Sequence, residues 1–567
     1  MVKRRIIKKI QSIFRKPGTL IEPDEIFLDS SNLPAFDRDQ FEGRIEKPIV
    51  KSTVLKLGAF FVLIFIAFIA KVWILQYEEG EAYVIQSQMN RLHNDLIFSE
   101  RGVIYDRNGV ELAWNVPNEG EPFSRRQYIN ESGFSHVLGY VSYPLKDSSG
   151  NYYQKDFIGI EGVEASYNDI LSGKNGLKII ETNAFGDVQS ESVVEPPQDG
   201  RSITLSIDSK LQHELYTIIA SIADSSHFNG GSGAVMDIDT GEILALTNYP
   251  EYDSNVLADG GPADKIAEYV SNTHTPFLDR AVSGLYTPGS IVKPFVALGA
   301  LQEDVISPDK QILSTGELVL ENPYDPAHPS IFRDWRPQGY VDMRHAIAVS
   351  SDVYFYEVGG GYEDQPGLGI DNLKKYMELF GVSKKTGIDL PSETEGVIPD
   401  PAWKKENFGN DPWRVGDTYL TSIGQYGFQV TPIQMLRATA AIADDGILRE
   451  PHVLAGPTKG PQITLPIDRT NLNVVKEGMR FAVTEQGTAE GLWFPDISIA
   501  AKTGTAEVGA AKSSRNSWTV GFFPYEHPKY AFVIVMEHAP AGTIIGSVEA
   551  TRRLFEWMKE NAPEYLN

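Results

Sequence analysis

Three short segments carry residue types and spacings suited to acyl transfer. Ser290-Ile291-Val292-Lys293 follows Pro288-Gly289 and precedes an apolar run, residues 295–301, that reads as a buried helix. A serine and a lysine three apart at a helix start share one face, which brings the amine within reach of the hydroxyl proton. The helix N-terminus then favours negative charge developing on the attacked group. Ser350-Ser351-Asp352 leads into apolar Val353-Tyr354-Phe355-Tyr356 and, taken alone, reads first as a helix cap. Lys502-Thr503-Gly504-Thr505 sits at the end of a strand that opens a three-strand run. A lysine there can face a cleft, and the small glycine lets a substrate backbone lie alongside.

Two of these patterns occur twice. Ser307-Pro308-Asp309-Lys310 lies in a charged stretch and reads as an N-cap serine with proline at the first helical position. Lys385-Thr386-Gly387 runs into Ile388-Asp389-Leu390-Pro391, whose proline ends any central strand. Order and context therefore select Ser290 and Lys502.

Apolar periodicity outlines the elements that must position these groups. Residues 203–207 read as a strand and Asp208 as an N-cap, followed by Leu211, Leu215, Ile218, Ile219 and Ile222 on one helical face. Residues 233–237 and 242–247 form a hairpin through Asp239-Thr240-Gly241. Residues 497–503, 517–523 and 530–537 make three strands, and a last helix from about Ser547 places Val548, Thr551, Phe555 and Met558 together. Helix, two strands, a long helical insertion, three strands and a helix describe an α/β domain on an antiparallel sheet. Upstream, Asp106-Arg107-Asn108-Gly109 between two apolar runs predicts a hairpin in a small, turn-rich, irregular module. Pro196-Pro197-Gln198-Asp199-Gly200 reads as a boundary. The expected organisation is a tail over 1–53, a membrane helix over 54–76, a module over 77–199 and a catalytic domain over 200–567.

The chain has 567 residues and a formal net charge of −25. Its acidity argues against phosphate-backbone binding, so nucleic acid is not an expected partner. Without cysteine, disulfides, thiolate catalysis and thiolate metal sites are excluded. The ten histidines form no ligand-spaced pair. Residues 1–56 carry 12 basic and 8 acidic side chains, whereas the remainder has a net charge of −29. Residues 17–50, rich in Pro, Asp and Glu, read as a mostly disordered tail. Residues 57–75 are apolar apart from Lys71 and span roughly 28 Å as a helix, enough to cross a bilayer. The basic flank predicts a cytoplasmic N-terminus and an extracytoplasmic remainder, a single-pass protein of the cytoplasmic membrane.

Ser290-x-x-Lys293, Ser350-x-Asp352 and Lys502-Thr503-Gly504, in that order, resemble the signature of penicillin-recognising serine enzymes. Arg101-Gly102 with Asp106-Arg107-Asn108-Gly109, and Gly424-Gln425 with Thr431-Pro432 and Gln434, resemble stretches typical of class B penicillin-binding proteins. Asp334-Trp335 and residues 350–356 resemble the elongation-type branch; the division-specific branch is the neighbouring alternative.

The resemblance implies a penicillin-binding-protein and β-lactamase-like transpeptidase domain, an antiparallel sheet flanked by helices with a helical subdomain. It would stand behind a transmembrane helix and an irregular α+β pedestal. It further implies a D,D-transpeptidase of peptidoglycan synthesis that is acylated by β-lactams. Ser290 would attack D-alanyl-D-alanine in a stem peptide, Lys293 would take its proton, and Ser350 would relay a proton to the leaving amine. Lys502, Thr503, Gly504 and Thr505 would hold substrate, with the Ser290 and Thr505 N–H groups as oxyanion hole. Many relatives have Asn where this chain has Asp352, and an ionised Asp beside two lysines favours a charged Lys293. Some elongation-type relatives bind a metal through a Cys and a His where this chain has Ser351 and Tyr340, so no metal and no cofactor is expected. The implied partners are a membrane glycosyltransferase of the SEDS type and other elongation-complex proteins. Two further readings are a serine carboxypeptidase or β-lactamase-type hydrolase, and a structural activator of that glycosyltransferase.

Overall fold

The computed structural model describes residues 50–89, 92–182, 187–322, 325–456, 460, 462–509 and 512–566. The expected basic tail lies outside the described residues as far as position 49. Two units follow, residues 1–91 and 92–567.

In the first unit, helix α1 (Lys51–Trp73) continues into a π-helical turn, Ile74–Glu78. Together they form 28 residues long and apolar enough to cross a membrane, with none of the apolar surface buried. The helix starts earlier than the apolar run predicts, because Lys51 and Lys56 are helix formers whose charge does not interrupt the hydrogen-bond ladder. Trp73 and Tyr77 stack one turn apart, centroids 5.1 Å, in the manner of interfacial aromatic anchors.

Among the strands that open the second unit are β1 (Leu92–Ile97), β2 (Ile104–Tyr105), β3 (Glu111–Val116), β4 (Arg125–Tyr128), β5 (Gly176–Thr182), β6 (Val188–Glu195) and β7 (Ile203–Thr204). They form two sheets, ordered β1-β5-β6 and β7-β2-β3-β4. The predicted hairpin is present: Asp106 Oδ1 accepts from Asn108 N and Val110 N, both 2.8 Å, and Gly109 supplies the left-handed turn residue at φ +85°. The strand expected over 203–207 is only two residues long and pairs parallel to β2. Alternation alone does not reveal its partner; Leu205 N still donates to Tyr105 O of β2, and only Ser206 N turns away, to Val453 O.

The larger part is built on helix α2 (Ser209–Ser226), strands β8 (Gly230–Asp237) and β9 (Ile243–Tyr249), and helix α3 (Lys293–Gln302). The helical insertion contains β10 (Ile312–Ser314), β11 (Glu317–Leu320), β12 (Ser330–Arg333), β13 (Gly339–Val341), α4 (Met343–Ala348), α5 (Asp352–Gly360) and α6 (Pro432–Ala443). Strands β14 (Ala500–Val508), β15 (Ser514–Phe523) and β16 (Tyr530–Pro540), then helix α7 (Ser547–Asn561), complete it.

The sheet order is β9-β8-β16-β15-β14, every pair antiparallel. Asp208 caps α2 by accepting from Lys210 N and Leu211 N. The predicted apolar face of α2 packs with Phe555 and Met558 of α7 in one cluster. Each such side chain contributes about 1.5–3 kcal/mol on burial. Helix α6, all twelve residues buried, is apolar or small apart from Gln434 and Arg437 and packs against β8, β15 and β16.

Candidate active site

Ser290 lies in one 3-10 turn, Gly289–Val292, that leads directly into α3. In a 3-10 turn residues three apart eclipse, so Ser290 and Lys293 share a side, as the spacing predicts. Gly289 (φ +58°) is pressed between two segments: a Cβ there would lie 3.0 Å from Thr505 O, and its N–H donates to Gly424 O at 3.0 Å. Trp518 Nε1 secures the approach by donating to Thr287 O, 3.0 Å.

Lys293 is fully buried. Its Nζ donates to Ser350 O (2.8 Å), Ser350 Oγ (3.3 Å) and Asp352 Oδ1 (2.6 Å). Lys502 is buried as well and donates to Ser350 Oγ and Thr503 O, both 2.9 Å. The Ser350 hydroxyl thus bridges two buried lysine nitrogens. Burial first, and the charge of Lys293 second, push the Lys502 amine well below its ordinary value, against the pull of Asp352. Burial also raises the Asp352 carboxyl above its ordinary range, outweighing its attraction to Lys293.

Strand β14 is longer than predicted, so Lys502 is its third residue rather than near its end. Thr503, Thr505 and Glu507 alternate outward from it, and Thr503 Oγ1 donates to Thr488 Oγ1 at 2.6 Å. The reason for Gly504 differs from the expected one. A Cβ there would lie 2.8 Å from Pro288 O and 2.9 Å from Ile291 Cγ2, so it is the turn carrying Ser290 that requires a glycine. Ser290, Asp352, Tyr356, Gln425, Thr505 and Trp335 line a cavity of about 750 Å³, open to solvent.

Of the expected site residues, Ser290, Asp352 and Thr505 line this groove, Lys293, Ser350 and Lys502 are hydrogen-bonded together behind Asp352, and Thr503 and Gly504 lie on the same strand, while the duplicates lie elsewhere. Lys310 Nζ bonds Gln365 Oε1, and residues 307–310 form a turn closed by Lys310 N on Ser307 O (3.2 Å) instead of the expected helix cap. Thr386 Oγ1 donates to Glu393 Oε1, 2.6 Å, in a segment without strand pairing. Ser351 does cap α5, accepting from Tyr354 N. Its Oγ donates to Asp334 Oδ2 at 2.9 Å, and Tyr340 is 68% exposed, so these residues do not fit a metal. Among the described residues no three His, Asp or Glu cluster as ligands would. Motif reasoning assigned no role to Asp334, Trp335 or Thr488; nothing in their spacing relates them to the groove.

Residues 231–556 match the family model of the penicillin binding protein transpeptidase domain, and residues 119–205 that of the penicillin-binding protein dimerisation domain. The peptidoglycan D,D-transpeptidase MrdA of Escherichia coli K12 is 31% identical over 469 residues, 76% of this chain and 71% of that one. The penicillin-binding protein PBP2 of Helicobacter pylori, solved in complex with MreC, superposes with a TM-score of 0.69 at 30% identity, covering 82% of this chain and 99% of that one. A chain from a peptidoglycan synthase complex that coordinates polymerization and crosslinking gives 0.69 at 26% identity, covering 88% and 97%. The chain belongs to the penicillin-binding protein transpeptidase family, as a class B member of the elongation type. It is a serine-type transpeptidase.

Proposed function

We propose that this chain is the peptidoglycan D,D-transpeptidase of cell-wall elongation and that Ser290 is its nucleophile. Ser290 Oγ attacks the carbonyl carbon between the two terminal D-alanines of a stem peptide. The oxyanion that forms is held by the N–H groups of Ser290 and Thr505. The tetrahedral adduct collapses, the carbon–nitrogen bond breaks, and the last D-alanine leaves with a proton. An amine from a neighbouring stem then attacks the ester and releases Ser290.

The serine proton passes to Lys293, the amine three residues on. Asp352 accepts from Lys293 Nζ at 2.6 Å, and burial raises its carboxyl above the ordinary range, which weakens the objection that an ionised Asp keeps the lysine charged. Ser350 carries the proton towards the leaving nitrogen. Lys502, Thr503 and Thr505 receive the substrate carboxylate along β14, with Gly504 serving the close approach of strand and turn.

The observation that carries this reading is the Ser350 hydroxyl between two buried lysines, one of which bonds Asp352, a residue that lines the groove with Ser290. Labelling with a fluorescent penicillin tests it. Loss of label in Ser290→Ala with full label in Ser307→Ala is expected; label retained by Ser290→Ala would overturn it. HPLC of a D-alanyl-D-alanine peptide with an acceptor amine is expected to show transfer, whereas hydrolysis alone would favour the hydrolase. Ser290→Ala protein that still restored rod growth would favour the structural activator.

The basic flank of α1 supports a cytoplasmic N-terminus with the groove outside the cytoplasmic membrane. The relatives solved with MreC and within a synthase complex support partners in the elongation machinery, a membrane glycosyltransferase among them. The boundaries at 53, 76 and 199 are supported by the ends of the apolar run and by the proline-rich segment, although the helix itself begins at Lys51 and continues to Glu78.

A further inference from the structure

Ser350 occupies a backbone position that a serine does not choose. At φ +58° it is in the left-handed region, and the bonds around it show why. Ser351 N donates to Ala346 O at 3.0 Å and Ser350 N to Ile347 O at 3.3 Å, the pair of contacts that ends a helix with a left-handed residue, normally glycine. Ser350 is thus the terminating residue of α4, and its neighbour Ser351 begins α5. A non-glycine residue there persists only where its surroundings over-determine it.

Those surroundings are one dipeptide. Between β10 and β13, which pair Ser314 with Gly339, the chain makes an excursion over residues 315–338 carrying the β11–β12 hairpin. Asp334 and Trp335 end that excursion and grip both flanks of Ser350. Asp334 Oδ2 accepts from Ser351 Oγ (2.9 Å), Val353 N (3.1 Å) and Ser314 Oγ (3.1 Å), while Oδ1 accepts from Trp335 N (2.8 Å). On the other side, Trp335 Nε1 donates to Val349 O at 3.2 Å. Within this grip Lys293 Nζ holds Ser350 O, and the side chain is left aimed between Lys293 and Lys502. Trp335 itself is 54% exposed, so its indole N–H is spent on a loop carbonyl at the groove wall rather than on core packing.

We propose that Asp334 and Trp335 are positioning residues for acyl transfer: they clamp the helix junction on both sides of Ser350 and thereby hold its hydroxyl between the two lysines. Neither touches the reacting atoms. The proposal rests on the relay role of Ser350 given above. Asp334 uses both carboxylate oxygens as acceptors, so an asparagine, with one oxygen, must give up either the bonds to Ser351, Val353 and Ser314 or the bond from Trp335 N that ties the two clamp residues together. Phenylalanine at 335 keeps a ring in the wall and removes only the donor to Val349 O.

The test is a double-mutant cycle on fluorescent-penicillin acylation in the full-length protein, with the half-saturating concentration and the thermal midpoint measured alongside. Trp335→Phe is expected to slow the first-order acylation step roughly three- to tenfold, what one lost hydrogen bond is worth, and Asp334→Asn by more. Half-saturation stays constant, and in Trp335→Phe so does the thermal midpoint. In a Ser350→Ala background both effects disappear, because the clamp then has nothing to aim. An equal loss in both backgrounds, a change in half-saturation alone, or no loss would overturn the clamp. Unimpaired acylation by Ser350→Ala alone would instead remove the relay role, so the two failures are told apart.

Discussion

In the pedestal, Glu164 lies between Arg101 and Arg126; in the groove, Asp352 lies against Lys293 with Lys502 behind. Each cluster contains two basic groups and one carboxylate. Arg101 Nε donates to Glu164 Oε2 at 2.6 Å and Arg126 Nε to Oε1 at 2.8 Å, with all three side chains at most 1% exposed. Although burial opposes it, the two guanidiniums hold Glu164 below its usual range. In the groove the carboxyl is raised and the Lys502 amine is lowered. The difference follows from the cations. A guanidinium cannot lose its proton and its planar fork matches a carboxylate, so the pedestal cluster is locked in its charged state. An ammonium carries a proton that burial can remove, so the same charge formula built from lysine can exchange protons. One cluster is a fastener and the other is a proton store.

The comparison can be broken most sharply by Lys293→Arg, which keeps the charge and removes the neutral form that the serine proton needs. Acylation by penicillin is expected to fall on the order of a thousandfold, read from the rate of label incorporation. A rate near that of the unaltered protein would mean that the groove, like the pedestal, works with fixed charge. Glu164→Gln is the converse. Leaving two buried guanidiniums uncompensated is expected to cost about 3–5 kcal/mol in urea unfolding, while the folded fraction acylates normally.

The pH dependences should also run oppositely. Glu164, held low, contributes stability that is present above the ordinary glutamate value of 4.5 and is lost as pH falls through its lowered folded value. Lys502 binds its proton less readily folded than unfolded, so its contribution to stability declines as pH falls below its ordinary 10.5. Lys502→Met is therefore expected to raise the neutral-pH thermal midpoint by a few degrees, about 1 kcal/mol or more, whereas Arg126→Met lowers it. A destabilised Lys502→Met would place the groove cluster with the fasteners. The smallest effect is a gain: Ser350→Gly relieves the left-handed backbone and is expected to add about 1 kcal/mol in the same melts while acylation collapses.

Much of the groove was legible beforehand because its parts are local. Ser290 and Lys293 are three residues apart on one turn, and Lys502 belongs to a strand whose apolar neighbours mark it. The duplicates were rejected by context, although the reason offered for Ser307 was a helix cap where the chain makes a turn. What stayed hidden depends on segments far apart in sequence. Gly504 is small because Pro288 approaches it, and the two-residue strand β7 finds its partner about a hundred residues upstream in β2. The acceptor of Ser351 Oγ is Asp334, 17 residues away.

By itself the sequence determined the long apolar helix, the antiparallel sheet with its flanking helices, and which of the repeated serine and lysine motifs belong to the groove. Periodicity, turn chemistry and i,i+3 spacing are properties of short segments and survive without the rest of the fold. Tertiary structure alone decided that Ser350 sits between two buried amines, that burial raises Asp352 and lowers Lys502, and that Asp334 with Trp335 grips the junction. Desolvation and long-range hydrogen bonds exist only once distant segments close around a site, and the protonation states of this groove are set there.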